Sequence, residues 1–166
     1  VSTQPLGAQS WEFPQGNAAG QFAARVGFGS GKAWASYQGA VATVHATEAA
    51  IDPASPFSFL FTPAFNGARE IAGKVRLGVA NQVGESQPDR IVAIGTDGVP
   101  RILARDRDDD PLSPFYAFDN GIGFNDAGAV AFVARLGPAG SARAVFAVDG
   151  AGTRQIALTG SGAFTE

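Results

Sequence analysis

The sequence predicts an all-β protein built from three repeats of about four antiparallel strands. Three observations predict it: a motif that occurs three times, short apolar runs separated by turn residues, and no sustained apolar pattern with a helical period. The motif is Asn, two small residues, and Gly or Arg, then eight strand-like residues and a Gly, starting at Asn17, Asn66 and Asn125. These Asn residues are 49 and 59 residues apart, and such a period indicates one supersecondary unit used three times.

Each repeat contains four candidate strands in the same order. A short apolar run opens the repeat, and the run after the Asn motif is the second strand. The third and fourth runs are joined by a turn containing Gly, and Asp-Gly between apolar runs, as in two of the repeats, is a strong hairpin signal. These later runs are 33–37, 91–94 and 144–148, then 41–46, 100–104 and 154–158. The repeats therefore cover approximately 10–52, 55–107 and 113–160 of a single predicted domain, 1–166.

The composition fits a folded β domain and argues against several kinds of partner. Hydrophobic residues make up 45% of the chain, and 22 Gly and 10 Pro supply turn residues. The net charge is −3, and no basic patch is interleaved with aromatic residues, so we expect no nucleic-acid partner. Because no run of eighteen apolar residues occurs, we also expect no insertion into a membrane. The absence of Cys is compatible with export.

The third repeat resembles a tandem repeat of secreted bacterial proteins. That repeat reads Asn-Asp-x-Gly-x-Val-Ala-Phe-x-Ala, then a loop, an apolar run, Asp-Gly, and Ile-Ala-x-Thr-Gly. The matching segments here are 125–134, 149–150 and 156–160, whereas the second repeat has Arg69 in place of the motif Gly. The resemblance covers about half to two-thirds of the chain. It implies an extracellular or cell-surface repeat protein with propeller-like blades and no established activity, so it transfers no catalytic residues.

The sequence allows several ways in which the three repeats could close into one fold. Four-stranded blades usually need at least four copies to close a propeller. Three could form half of a six-bladed ring made by two chains, or part of a longer array. A β-trefoil or a β-prism, which close within one chain, are the alternatives. The first repeat diverges most, so we interpret it as a cap, and unclosed blades would offer edges to another chain.

An acidic cluster is the candidate metal site, and calcium is the only cofactor that the sequence suggests. Calcium prefers several oxygen ligands from carboxylates and loop carbonyls. The segment lacks the Asp-x-Asp-x-Asp-Gly spacing of a dedicated calcium loop, and two Arg residues lie within it, so a solvated loop is the other interpretation. The cluster consists of Asp106, Asp108, Asp109 and Asp110.

Aromatic residues provide the remaining candidate sites. Trp34, Tyr37 and Tyr116 could stack on the apolar face of a sugar, although aromatic residues in strands also pack in cores. Trp34 and Tyr37 are expected on opposite faces of one strand. The alternating residues Phe57, Phe59 and Phe61 predict an apolar face that must be covered. If the fold leaves that face open, it is a self-association surface.

No pattern in the chain predicts catalysis. His45 is the only histidine, no nucleophile-elbow motif accompanies it, and zinc is disfavoured without Cys or a second His. We therefore expect no enzyme activity and assign no catalytic residues. The sequence predicts a non-enzymatic extracellular structural module that associates with itself, such as a filament, sheath or coat subunit. A carbohydrate-binding module or adhesin is the alternative.

Overall fold

The protein is all-β, with three four-stranded antiparallel sheets, as the repeat predicted. The computed structural model describes residues 7–82, 87–138 and 141–159. In each sheet the strands lie side by side in chain order. The strands of the first unit are β1 (Ser10–Gly16), β2 (Phe22–Phe28), β3 (Gly31–Gln38) and β4 (Val41–Thr47). Those of the second are β5 (Phe57–Phe65), β6 (Ile71–Leu77), β7 (Asp89–Ile94) and β8 (Pro100–Arg105). Those of the third are β9 (Ala117–Phe124), β10 (Val130–Arg135), β11 (Arg143–Asp149) and β12 (Gly152–Leu158).

The Asn motif forms the turn between the first and second strands of each unit. The fourth residue of the motif has a positive φ in all three units: 71° at Gly20, 64° at Arg69 and 79° at Gly128. Gly reaches this left-handed conformation without a steric penalty, whereas Arg69 adopts it at a cost. The second turn is thus more strained than the others, although its chain path is the same.

The motif Asn contributes through its side chain and not through a left-handed backbone. None of the three Asn has a positive φ. The Oδ1 atom of each Asn accepts the backbone N–H of the residue four positions on, at 2.8–3.1 Å. In the first unit, the Ala19 N–H also donates to Asn17 Oδ1. The Asn therefore caps the turn in every unit.

The sheets stack face to face, and the second sheet lies between the other two. One of its faces joins a core with Trp34 of the first unit, which also contains Leu60 and Val75. Its other face joins a core with Phe118 and Phe132 of the third unit. In a β-trefoil or β-prism the units would share one central core, and the described residues form no closed barrel. The architecture is that of consecutive propeller blades.

The described segments 7–82, 87–138 and 141–159 contain no helix long and apolar enough to cross a membrane.

Candidate functional site

The face that each unit turns towards the next one is built from equivalent positions. The sixth and eighth residues after the motif Asn lie on it, together with the residue paired to the eighth on the third strand. In the first unit the paired positions are Arg25 and Trp34, and in the second they are Lys74 and Ile91. In the third unit they are Val133 and Val145, on a face that no further sheet among the described residues covers.

The first interface is centred on Trp34, which is completely buried. Its ring lies on Gly73 of the second unit, so close that a Cβ atom there would be 2.5 Å from two ring carbons. Its Nε1 donates a hydrogen bond to the Phe61 carbonyl at 2.9 Å. A large side chain thus fits against a glycine, and its polar atom has a partner inside the core.

Glu48 also connects the first two units. Its Oε1 accepts the backbone N–H of Leu60 at 2.9 Å, and its Oε2 accepts that of Lys32 at the same distance. The guanidinium of Arg25 lies 3.6 Å from this carboxylate and 4.3 Å from the centre of the Phe59 ring. The carboxylate therefore satisfies a buried donor at an irregular point of β5, where the strand pairing shifts.

At the second interface a lysine occupies the position of Arg25. The Nζ of Lys74 donates to the Phe118 carbonyl of the third unit at 3.1 Å and lies 3.5 Å from the Asp89 carboxylate. It is also 3.8 Å from the centre of the Phe61 ring. Burial lowers the pKa of Lys74, an effect opposed by Asp89. Both internal interfaces thus contain one buried cation, at the eighth residue after the motif Asn.

The motif Asn residues form a hydrogen-bond ladder through the stack. Asn17 Nδ2 donates to the Asn66 carbonyl at 3.3 Å, and Asn66 Nδ2 donates to the Asn125 carbonyl at 3.4 Å. Asn66 is buried, whereas Asn125 is exposed. Within the described part of the chain, the amide nitrogen of Asn125 has no hydrogen-bond acceptor. The ladder therefore ends at the third unit with an unused donor.

The outward face of the third unit contains an apolar hollow, with Arg143 in its lining. Val133, Val145 and Ile156 line a shallow hollow of about 360 Å³, and Ile156 is 51% exposed. The position that holds a cation in the other units is Val133 here. Among the described residues, no further sheet lies on this face. The sequence analysis did not predict this hollow. The signal was visible, because the eighth residue after the motif Asn is Arg25 or Lys74 in the first two units and Val133 in the third.

The outward face of the first unit is covered by its own aromatic residues. Tyr37 stacks on Phe22 at 4.7 Å between ring centres and accepts a hydrogen bond from Trp11 Nε1 at 3.1 Å. Beneath these rings Ala24 and Val26 are buried, while Trp11 and Phe22 remain 41% exposed. The stack therefore has an aromatic surface at one end and an apolar hollow at the other.

The predicted calcium ligands are separated by their contacts. Arg90 binds the Asp109 carboxylate with two bonds of 2.7 and 2.8 Å, and Arg105 adds a third; Arg90 in particular lowers the pKa of Asp109. Asp106 caps a turn by accepting the N–H groups of Asp89 and Asp109, and burial raises its pKa to about 6.

The remaining two acidic residues of the cluster make other contacts. Asp110 accepts the Leu112 N–H, and Asp108 lines a polar cleft. The described residues contain no group of three or more His, Cys, Asp or Glu that could hold a metal ion. Calcium binding stays a prediction.

The candidate sugar-binding aromatics are dispersed. Trp34 and Tyr37 do lie on opposite faces of β3, but both are buried, so their rings cannot meet a ligand from solvent. Tyr116 is 38% exposed and lines the polar cleft, of about 600 Å³, between the second and third units. Arg107, Asp108 and Arg135 line it as well, and the Arg135 guanidinium lies 5.6 Å from the Tyr116 ring centre.

The three Phe residues proposed for self-association do not share one face. Pairing shifts between Phe57 and Phe59, and again between Leu60 and Pro63, break the alternation of β5. Phe57 is buried in the first interface and offers no surface to a partner. Phe59 and Phe61 form an edge-to-face pair at 4.7 Å, in contact with the buried cations of the two interfaces. Phe59 is 39% exposed, so self-association through Phe59 and Phe61 stays a prediction.

His45 forms a buried pair with Ser36. Its Nε2 lies 2.8 Å from Ser36 Oγ, and its Nδ1 lies 2.9 Å from the Gly95 carbonyl of the second unit. A carbonyl only accepts, so Nδ1 carries the proton and Nε2 accepts from the serine hydroxyl. The pair joins the first unit to the turn after β7. Burial lowers the pKa of His45 below its ordinary value of 6.5.

The lowered pKa of His45 makes the stability of the protein depend on pH. Below about pH 6.5 the unfolded chain takes up the His45 proton more readily than the folded chain, so stability falls as the pH decreases. We expect urea unfolding to show a loss between pH 7 and pH 5 that is smaller in His45→Asn, which retains a donor for Gly95. Asp106, with its raised pKa, contributes the opposite trend equally in both proteins. Equal pH profiles for the two proteins would contradict this expectation.

A comparison with known protein families found none that matches the chain, and a search of curated proteins found no match either.

Proposed function

We propose that the chain is a non-enzymatic structural module that associates with itself, outside the cell or at its surface. The observation that carries the proposal is the apolar hollow on the outward face of the third unit, on which no sheet of the described residues packs. In the first two units the equivalent positions are buried against a following unit. An apolar sheet face with a hollow of this size gains free energy when it is covered.

Two further observations support the proposal. Among the described residues, no further sheet packs on the outward face of the first or of the third blade, and propellers usually close with at least four blades. Two copies would supply six blades, and copies that do not close into a ring would form a filament. The resemblance of the third repeat to repeats of secreted bacterial proteins supports the extracellular location.

The test is the molar mass in solution, measured by light scattering over a range of concentrations. We expect a dimer or a larger assembly. Ile156→Asp places a charge on the hollow, and Ile156 is exposed enough for the monomer to tolerate it. This variant should be monomeric at concentrations at which the unmodified protein is assembled.

The matched control is Val99→Asp, which adds the same charge at an exposed valine (64%) in the turn before β8. It should assemble as the unmodified protein does. A monomer at every concentration for the unmodified chain would refute self-association. Equal effects of the two substitutions would show that the hollow is not the contact.

Carbohydrate binding is the second candidate function, and the observation in its favour is the cleft at Tyr116. An exposed aromatic ring lies there beside Asp108 and Arg107, and the volume of about 600 Å³ can hold a small sugar. Calorimetric titration with a panel of neutral and acidic sugars, with and without calcium, tests it. Binding that disappears in Tyr116→Ala would support this function, whereas no heat with any sugar would remove it.

A further inference from the structure

We infer that the contact between copies is head to tail: the third unit of one protomer packs on the first unit of the next, and the Asn ladder continues across the junction. The inference rests on the proposed self-association and names its partner surface. Its basis is that the two ends of the ladder are chemically complementary.

The donor end of the ladder is the side chain of Asn125. In each internal step the amide of one Asn donates to the main-chain carbonyl of the next, and the two steps measure 3.3 and 3.4 Å. The Oδ1 of Asn125 accepts the Ala129 N–H at 2.8 Å, as in the other two turns, but Ala129 lacks the side-chain acceptor that Gln21 and Glu70 offer to the Nδ2 atoms of Asn17 and Asn66. The bond at Oδ1 orients the Asn125 amide, at the exposed end of the stack.

The acceptor end is the main-chain carbonyl of Asn17. In all three turns the Asn carbonyl accepts the N–H of the fourth motif residue, at 3.0–3.2 Å. In the second and third turns it also accepts the amide of the preceding Asn. A carbonyl has two lone pairs, and among the described residues the Asn17 carbonyl has no second donor. The next protomer's first unit thus presents the missing acceptor.

The surfaces around the two ladder ends are also complementary in shape. The exposed rings of Trp11 and Phe22 lie on the outward face of the first unit, and the hollow beside Val145 lies on that of the third. In the first interface, likewise, the large aromatic ring of Trp34 packs against a glycine, Gly73. A contact between two third units would bury both hollows but would bring amide donor against amide donor at the ladder ends.

Single cysteines test this arrangement, because the chain has no cysteine of its own. Inside the chain, Gly67 donates its N–H to Asp126 Oδ1 at 2.6 Å, and a Cβ at Gly67 would lie 3.0 Å from the Asp126 Cγ. Ala18, Gly67 and Asp126 each follow the motif Asn of their unit, so at the junction Asp126 takes the place of Gly67 and the partner's Ala18 takes the place of Asp126. A head-to-tail junction therefore brings Asp126 next to the partner's Ala18, within the distance that a disulfide requires.

The experiment mixes two proteins, Ala18→Cys and Asp126→Cys, one of which carries an extension that separates their masses. After mild oxidation, we expect disulfide-linked mixed dimers and few dimers of either variant alone. The double variant Gly67→Cys/Asp126→Cys is the control, because its two thiols should form a disulfide within one chain.

The other outcomes are distinguishable. Dimers of one variant alone would overturn the head-to-tail arrangement. So would an absence of mixed dimers in samples that light scattering shows to be assembled, and in that case self-association itself would stand. If light scattering finds only monomers, the inference and the proposed function both fail.

Asn125→Asp provides a second readout that leaves the turn intact. The substitution keeps the oxygen that accepts the Ala129 N–H but replaces the donor with an oxygen that repels the partner's Asn17 carbonyl. We expect the concentration for half-assembly to rise about tenfold. Asn120→Asp, at an exposed position of β9, adds the same charge and should change it by less than about twofold. Equal shifts for both variants would overturn the ladder contact.

Discussion

Gly73→Ala should be among the most destabilising single substitutions in this protein, at a cost of about 3 kcal/mol. The added Cβ would lie 2.5 Å from two carbons of the Trp34 ring and 3.2 Å from the Thr62 carbonyl oxygen. Trp34 is completely buried and its Nε1 is bonded, so the ring cannot move aside without losing that bond. The backbone at Gly73 does not require glycine, so the penalty is steric. Urea unfolding measures it.

Two controls separate this clash from a general effect of removing a strand glycine. Gly123→Ala, in β9, meets no atom closer than the Ala131 Cβ at 3.9 Å, and its free energy of unfolding should change by less than about 0.5 kcal/mol. In a Trp34→Leu background the cost of Gly73→Ala should be much smaller, since contacting residues are not additive. Additive effects of the two substitutions would contradict the assignment.

The second large effect is expected for Glu48→Ala, at about 3 kcal/mol. The substitution removes the carboxylate that accepts the buried Leu60 N–H, at a bulge of β5, and the Lys32 N–H. A buried donor without a partner costs about 1–3 kcal/mol. The Arg25 guanidinium also loses this carboxylate but keeps Glu12 at 3.1 Å.

Glu70→Ala is the matched control for Glu48→Ala. Glu70 accepts one hydrogen bond from the Asn66 side chain at 3.0 Å and caps no backbone group. Its removal should cost about 1 kcal/mol, measured by thermal and urea unfolding. A similar loss for both variants would mean that capping of the β5 bulge contributes little to stability.

The number, order and turns of the strands could be predicted from the sequence, because each depends on residues close together in the chain. Apolar runs of strand length, the Asn motif and Gly at positive φ are local features, and they led to three four-stranded units. Prediction from the local pattern of residues failed where a strand is irregular. Phe57, Phe59 and Phe61 alternate in sequence, but bulges in β5 place them in different environments. Bulges are not apparent from the alternation of residue types alone.

What the sequence by itself determined is therefore the repeat: three copies of one strand order, with the same capped turn. Only the tertiary structure decided which faces meet. That choice buried Trp34 against Gly73 of the second unit and put Lys74 in contact with the third unit. It also left Val133 and Ile156 without cover. These contacts join residues from different units, and their energies depend on packing between sheets, which no local pattern of residues encodes.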